Sequence, residues 1–216
     1  MTGLPRPYWQ DMTTEELGRL DAGRVIAILP VGAIEQHGPH LPVCTDACIG
    51  QGIALRALAL LPEGLPVTVL PMLPVGKSDE HLAFAGTLTL SAETVARLWT
   101  EVGESIARAG LRKLVLLNSH GGQVSIMDVV ARDLRVRHGM LVMAWSWFAA
   151  RIPDSLFPED EQRFGIHAGA IETSIMLHLR PDLVQMDKAQ NFRPLMADME
   201  KEGYRRLSAV GSGRMG

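Results

Sequence analysis

The chain has 216 residues, of which 47% are hydrophobic and 21% charged, with a formal net charge of −3. That is an ordinary globular composition, at a length that fits one large domain. The slight acidity excludes the overall basic field that draws proteins to nucleic acid or to an anionic membrane.

The N-terminal stretch MTGLPRPYWQDMTTEELGRL lacks a basic segment followed by an apolar one, so it does not read as a signal peptide. No apolar run reaches the roughly 18–20 residues that span a bilayer. The only cysteines are Cys44 and Cys48. A bond between them would close a very short, strained loop, so they read as reduced thiols, which suits a reducing cytosol. The expectation is a soluble, cytoplasmic protein.

Apolar runs and helical patterns then alternate. RVIAILPVG (24–32) reads as a buried parallel strand. DACIGQGIALRALALL (46–61) spaces small and apolar residues as a helix does, with Pro62 beyond its end. VTVLPMLPVG (67–76) reads as a second strand ended by prolines. In 91–110, Ser91 provides an N-cap and Gly110 a C-cap for the clearest helix. LRKLVLLNSHGG (111–122) is a third strand running into a polar loop, and 124–139 is a helix closed by Gly139. MLVMAWSW (140–147) is a fourth strand, and HAGAIETSIMLHL (167–179) begins as a loop and becomes a helix. The closing SAVGSGRMG reads as a mobile loop. This β-α-β-α order predicts an α/β fold, a mostly parallel sheet joined by right-handed crossovers. No repeat or linker divides residues 1–216, so a single domain is expected.

Open α/β sheets bind ligands at the carboxyl ends of their strands. Every polar constellation in this sequence falls at such an end. After the first strand, Glu35 and His37 stand two apart, and an extended backbone turns both to one side. Asp46 follows at a helix start, where it could simply cap the helix. After the third strand, Asn118 and His120 precede two glycines that let backbone approach a ligand closely. His167 and Glu172 flank small residues at a loop-to-helix junction, where both could enter one cleft or the acid could merely favour the helix start. Ser78, Asp79, Glu80 and His81 form a polar knot after the second strand, either solvated or with Ser78 or His81 facing substrate. Trp145 and Trp147 stand two apart at the end of the fourth strand, with one expected to face the core and the other to line a pocket. Mixed His, Asp and Glu sets suit zinc, manganese or iron(II). The chain has no G-x-S-x-G nucleophile turn, no G-x-G-x-x-G and no phosphate-binding loop.

VGAIEQHGPHLPVCTD, EHLAFAGTLTL, NSHGG and HAGAIETS together resemble the creatininase family of creatinine amidohydrolase-like enzymes, over about residues 24–180. The resemblance implies a three-layer αβα sandwich with two divalent metal ions, zinc first, with manganese or iron as alternatives. It implies that Glu35, Asp46 and His120 hold one ion, that His37 and a bridging Asp46 hold the second, and that His167 lies near the reacting water. Creatininase itself has a glutamate where Gly122 stands, an aromatic at Gly121 and an acidic residue at Ile166; members with the NSHGG form imply Glu172 as the second-site ligand instead. Ser78, His81 and Trp147 are the substrate-facing candidates, and His40 is expected to support the site from behind. The implied activity is hydrolysis of a C–N amide bond in a small or cyclic amide. Family alternatives are a formamide deformylase and a small-peptide peptidase, and an inactive metal-binding regulatory protein is the rival of another class. A homo-oligomer, trimer or hexamer, is implied by the same resemblance.

Overall fold

The computed structural model describes residues 4–153 and 155–202, so the expected loop at the C-terminal end lies outside the described residues. Four strands, β1 (Ile26–Val31), β2 (Val67–Val69), β3 (Lys113–Asn118) and β4 (Leu141–Ser146), form one parallel sheet in the order β2-β1-β3-β4. The helices that position the site are α2 (Thr45–Leu60), α3 (Ala92–Arg108), α4 (Val124–His138) and α6 (Ala170–Leu179). Short helices α1 (Thr14–Gly18), α5 (Glu159–Phe164) and α7 (Leu195–Lys201) complete the described set.

Alternation along the strands divides the core. Ala27, Leu29 and Val31 of β1 and Leu114 and Leu116 of β3 point to one face, where they pack with Val95, Trp99 and Ile106 of α3 and Met127, Val130 and Leu134 of α4. Ile28, Leu117 and Trp145 point to the other face, against Ile53, Ala54 and Leu58 of α2. A further cluster joins α2 to α6 through Ile49 and Met176. The result is three layers: α3 and α4, the sheet, then α2 and α6. Among the described residues no helix is long and apolar enough to cross a membrane. Cys44 and Cys48 are free thiols with sulfurs 3.5 Å apart.

The second strand is shorter than the expected 67–76. Pro71 and Pro74 have no N–H to give to the ladder, so regular pairing stops at Val69. The chain still follows β1, with the Leu73 N–H donating to the Pro30 carbonyl (3.0 Å) and the Gly32 N–H to the Leu73 carbonyl (3.1 Å). Pro30 sits inside β1 for the same reason, because its missing donor faces the side on which β2 has broken off.

Candidate metal centre

Val31 pairs with Asn118 and Asn118 with Ser146, so β1, β3 and β4 end at one level. Their loops leave the sheet side by side. Glu35 and His37 are both fully buried in the loop after β1, and Asp46 is buried in the first turn of α2. From the loop after β3 comes His120, and from the start of α6 comes Glu172, both buried.

The Asp46 carboxylate lies between two imidazoles. Its Oδ1 is 3.3 Å from His37 Nε2, and its Oδ2 is 3.2 Å from His120 Nδ1. Glu35 Oε1 lies 3.2 Å from the same His120 Nδ1. Glu172 Oε1 lies 3.7 Å from His37 Nε2, while its Oε2 accepts the Ala168 N–H at 2.7 Å. Ala168 takes a left-handed backbone (φ 56°), which turns that N–H inward. Each histidine is held from behind: His37 Nδ1 is 3.2 Å from the Glu35 carbonyl, and His120 Nε2 is 2.8 Å from the Lys77 carbonyl. These contacts set the outer ring nitrogens against backbone carbonyls and turn the inner nitrogens toward the acids.

Asn118 supplies the framework. Its amide donates to the His120 carbonyl (2.7 Å) and to Ser146 Oγ (2.9 Å), and its Oδ1 accepts the His120 N–H (3.0 Å) and Gln123 Nε2 (3.0 Å). His40 Nε2 is 3.0 Å from Thr173 Oγ1, tying the first loop to α6 behind the site.

Both oxygens of Glu35, His37 Nε2, Asp46 Oδ2 and His120 Nδ1 are buried without a hydrogen-bond partner. Buried polar atoms are ordinarily paired, so a convergent set of this kind fits the ligands of a divalent cation. Carboxylate oxygens and imidazole nitrogens are donors that divalent zinc, manganese and iron accept. Ligand-capable atoms of His37, Asp46 and Glu172 lie within 4.8 Å of one another, as do those of Glu35, Glu80 and His120, and of Glu35, His37 and His167.

Without ions, protons compensate the acids. Burial opposes charge on His37, but Glu172 and Asp46 outweigh it and push its pKa up to about 10. His120 is likewise raised well above the ordinary value, as its Asp46, Glu35 and Glu80 contacts overcome burial. Burial lifts Glu172 to about 7 despite the His37 charge, whereas in Asp46 the His37 and His120 contacts overcome burial and hold the acid low. His167 goes the other way. Burial, then the charge on His37, pushes it well below the usual histidine range. Its Nδ1 lies 3.7 Å from Glu35 Oε1, and its ring meets those of His37 and His81 edge to face at 4.8 and 4.7 Å.

A cavity of about 300 Å³ opens onto this cluster. Asp46, His120, His167 and Glu172 line it, with Trp147 and Ile166 among its apolar walls. Trp147 follows β4 in a short 3-10 turn and keeps a buried, unpartnered indole N–H, while Trp145 packs in the core beneath α2. Ser78 and His81 lie elsewhere than on this wall. Ser78 is fully buried, its N–H bonded to Thr89 Oγ1 (2.9 Å), and His81 is buried with Nε2 3.6 Å from Glu35 Oε1. Their neighbour Glu80 lines the cavity instead. The sequence places Glu80 only within a polar knot; the 3-10 turn at Asp79–His81, which decides which side chain faces inward, leaves no periodic signal.

A three-layer parallel α/β fold with a buried cluster of acids and histidines at its strand ends defines a metal-capable hydrolase. The creatinine amidohydrolase family model matches residues 10–216, and the chain belongs to the creatininase family. It is 32% identical over 215 residues to the mycofactocin precursor peptide peptidase of Mycobacterium ulcerans (strain Agy99), covering 95% of this chain and 80% of that one. It is 31% identical over 192 residues to the creatinine amidohydrolase of Pseudomonas putida, covering 82% and 72%. A solved creatininase in its manganese form superposes with a TM-score of 0.68 at 30% identity, covering 87% of this chain and 78% of that one. A creatininase variant of the Zn–Zn type superposes with a TM-score of 0.69 at 29% identity over the same shares. The chain is thus a hydrolase of a family that acts on amide bonds.

Proposed function

We propose that this protein hydrolyses an amide C–N bond with two divalent ions held by Glu35, His37, Asp46, His120 and Glu172. The observation that carries the reading is the split of Asp46: one oxygen lies against His37, which Glu172 also approaches, and the other against His120, which Glu35 also approaches. Asp46 so placed would be a ligand available to both ions. When bound, such ions supply a water of lowered pKa and polarisation of the amide carbonyl. The protein does the rest. Lys77 and Glu35 carbonyls fix the histidine tautomers. His167, which lines the cavity beside the acids, would take the proton released by the attacking water and pass it to the leaving nitrogen. Trp147 gives the cavity an apolar wall against which a substrate packs.

The shape of the cleft favours an extended amide over a compact ring. Ile166 and His167 line both the main cavity and a second of about 290 Å³, walled by Phe84, Phe164 and Phe192. His167 also borders a third, of about 670 Å³. Three hollows therefore adjoin His167, an arrangement that suits a peptide-like substrate. The peptidase name of the mycobacterial relative agrees.

Elemental analysis of protein purified without chelator, alongside Glu172→Ala, tests the ion pair. Two ions per chain falling to about one is the expected result. A wild-type chain that takes up no ion even after reconstitution would refute the mechanism. Assays with creatinine, a formamide and short peptides test the substrate, and turnover confined to creatinine would reject the extended-cleft reading.

A further inference from the structure

Glu80 occupies a position that the metal-hydrolase reading leaves unassigned. It stands on the 3-10 turn Asp79–His81, and its side chain is 18% exposed. Its Oε1 lies 3.3 Å from His120 Nε2, the nitrogen on the side of the ring away from Asp46 and Glu35. The Lys77 carbonyl faces that same nitrogen at 2.8 Å. The backbone carbonyl takes the hydrogen bond of that nitrogen, and the carboxylate stands close beside it. The space for that carboxylate exists because residue 122 is glycine. A Cβ there would collide with Glu80 Oε1 and would come within 2.6 Å of His120 Nε2.

The turn that carries Glu80 is fastened on several sides. Ser78 donates its N–H to Thr89 Oγ1 (2.9 Å), Thr87 Oγ1 donates to the His81 carbonyl (2.9 Å), and Thr89 Oγ1 donates to Asp79 (2.8 Å). The Lys77 N–H donates to Gln123 Oε1 (3.3 Å), which joins the turn to the loop that bears His120. Glu80 is thus delivered on a braced segment rather than a free one.

We propose that Glu80 is a positioning residue of the metal centre, holding His120 from behind in the space that Gly122 leaves open. This rests on the metal-hydrolase reading. A carboxylate behind a metal-binding histidine fixes the ring and makes its inner nitrogen a better donor, and losing such a partner typically weakens metal binding 10- to 100-fold. Among the NSHGG-type features of this chain, Gly122 then has a physical reason: a side chain there and the Glu80 carboxylate exclude one another.

The test is competition of the metal-free protein with a chromophoric chelator for Zn²⁺, comparing wild type, Glu80→Ala, Glu80→Gln and His120→Ala, with thermal melts of each apoprotein as a fold control. Glu80→Ala should keep two ions per chain and an unchanged apoprotein melt, but bind one ion roughly 10- to 100-fold more weakly. Glu80→Gln keeps an acceptor without the charge and should fall between alanine and wild type. Affinity within about twofold of wild type in both variants would overturn the proposal, leaving the metal reading intact if His120→Ala still loses an ion. Outright loss of one ion in Glu80→Ala would also overturn it, since that marks a ligand. A wild-type chain that binds no Zn²⁺ would remove the metal reading and this role together.

Discussion

His37 turns Nδ1 to the Glu35 carbonyl and Nε2 to Asp46 and Glu172, and its pKa of about 10 means that both nitrogens hold protons in the ion-free protein at neutral pH. A metal ion at Nε2 must displace one of them. The sign follows directly: raising the pH removes the competitor, so affinity should climb until the pH reaches the raised pKa. With one proton displaced, binding should strengthen about tenfold per pH unit between roughly pH 7 and 9. Chelator competition at several pH values checks this, and a flat profile would show that His37 binds no ion. Asn118 sits one step further back. Replacing it with aspartate turns its donor into an acceptor, leaving the His120 carbonyl facing a carboxylate in a buried site. Asn118→Asp should cost about 1–3 kcal/mol of stability and weaken metal uptake, measured by denaturant unfolding of the apoprotein and by metal content.

Among the elements, α4 shows how local chemistry sets a boundary that the site depends on. It starts just after the His120 loop and stops at Gly139, which is left-handed (φ 58°) and has open space where a Cβ would stand. Gly139→Ala therefore tests backbone conformation alone and should destabilise by about 1 kcal/mol, with Gly139→Asn costing less. Denaturant midpoints at constant slope would measure it. Such caps were legible in the sequence: Ser91 accepts the Thr94 N–H and Gly110 follows α3 with φ 91°, as their residue types demand. So was the sheet, because buried strands and amphipathic helices announce themselves by period. Glu35, His37 and His120 were legible through position, since they follow strands whose ends could be read, whereas Asp46 and Glu172 stand at helix starts, where an acid is also an ordinary capping residue. What stayed hidden was set by tertiary contact. The length of β2 depends on where two prolines meet the β1 ladder, and the inward turn of Glu80 rather than Ser78 depends on bonds to Thr87 and Thr89 in the next loop and to Gln123 beyond β3.

For the molecule as a whole, the centre is also a fastening. Its acids and histidines come from the loop after β1, the head of α2, the loop after β3 and the head of α6, so ions held there would tie four separate segments together beside the apolar cluster of Leu41, Ile49 and Met176. In the ion-free protein, carboxylates and protonated imidazoles must balance one another while buried, and several of their atoms have no hydrogen-bond partner. Ions bound to the folded state alone stabilise it by mass action, about 4 kcal/mol when free metal exceeds its dissociation constant a thousandfold. For a chain of this length that shifts the melting temperature upward by roughly 8–16 °C. A chelator should remove that increment from the wild-type protein and leave His120→Ala, which already lacks a ligand, much less affected. Calorimetric melts with and without chelator make the comparison. Equal wild-type melts would mean that the cluster holds no ion in the folded protein, and the pairing of Asp46 with His37 and His120 would then be an internal ion-pair network rather than a catalytic centre.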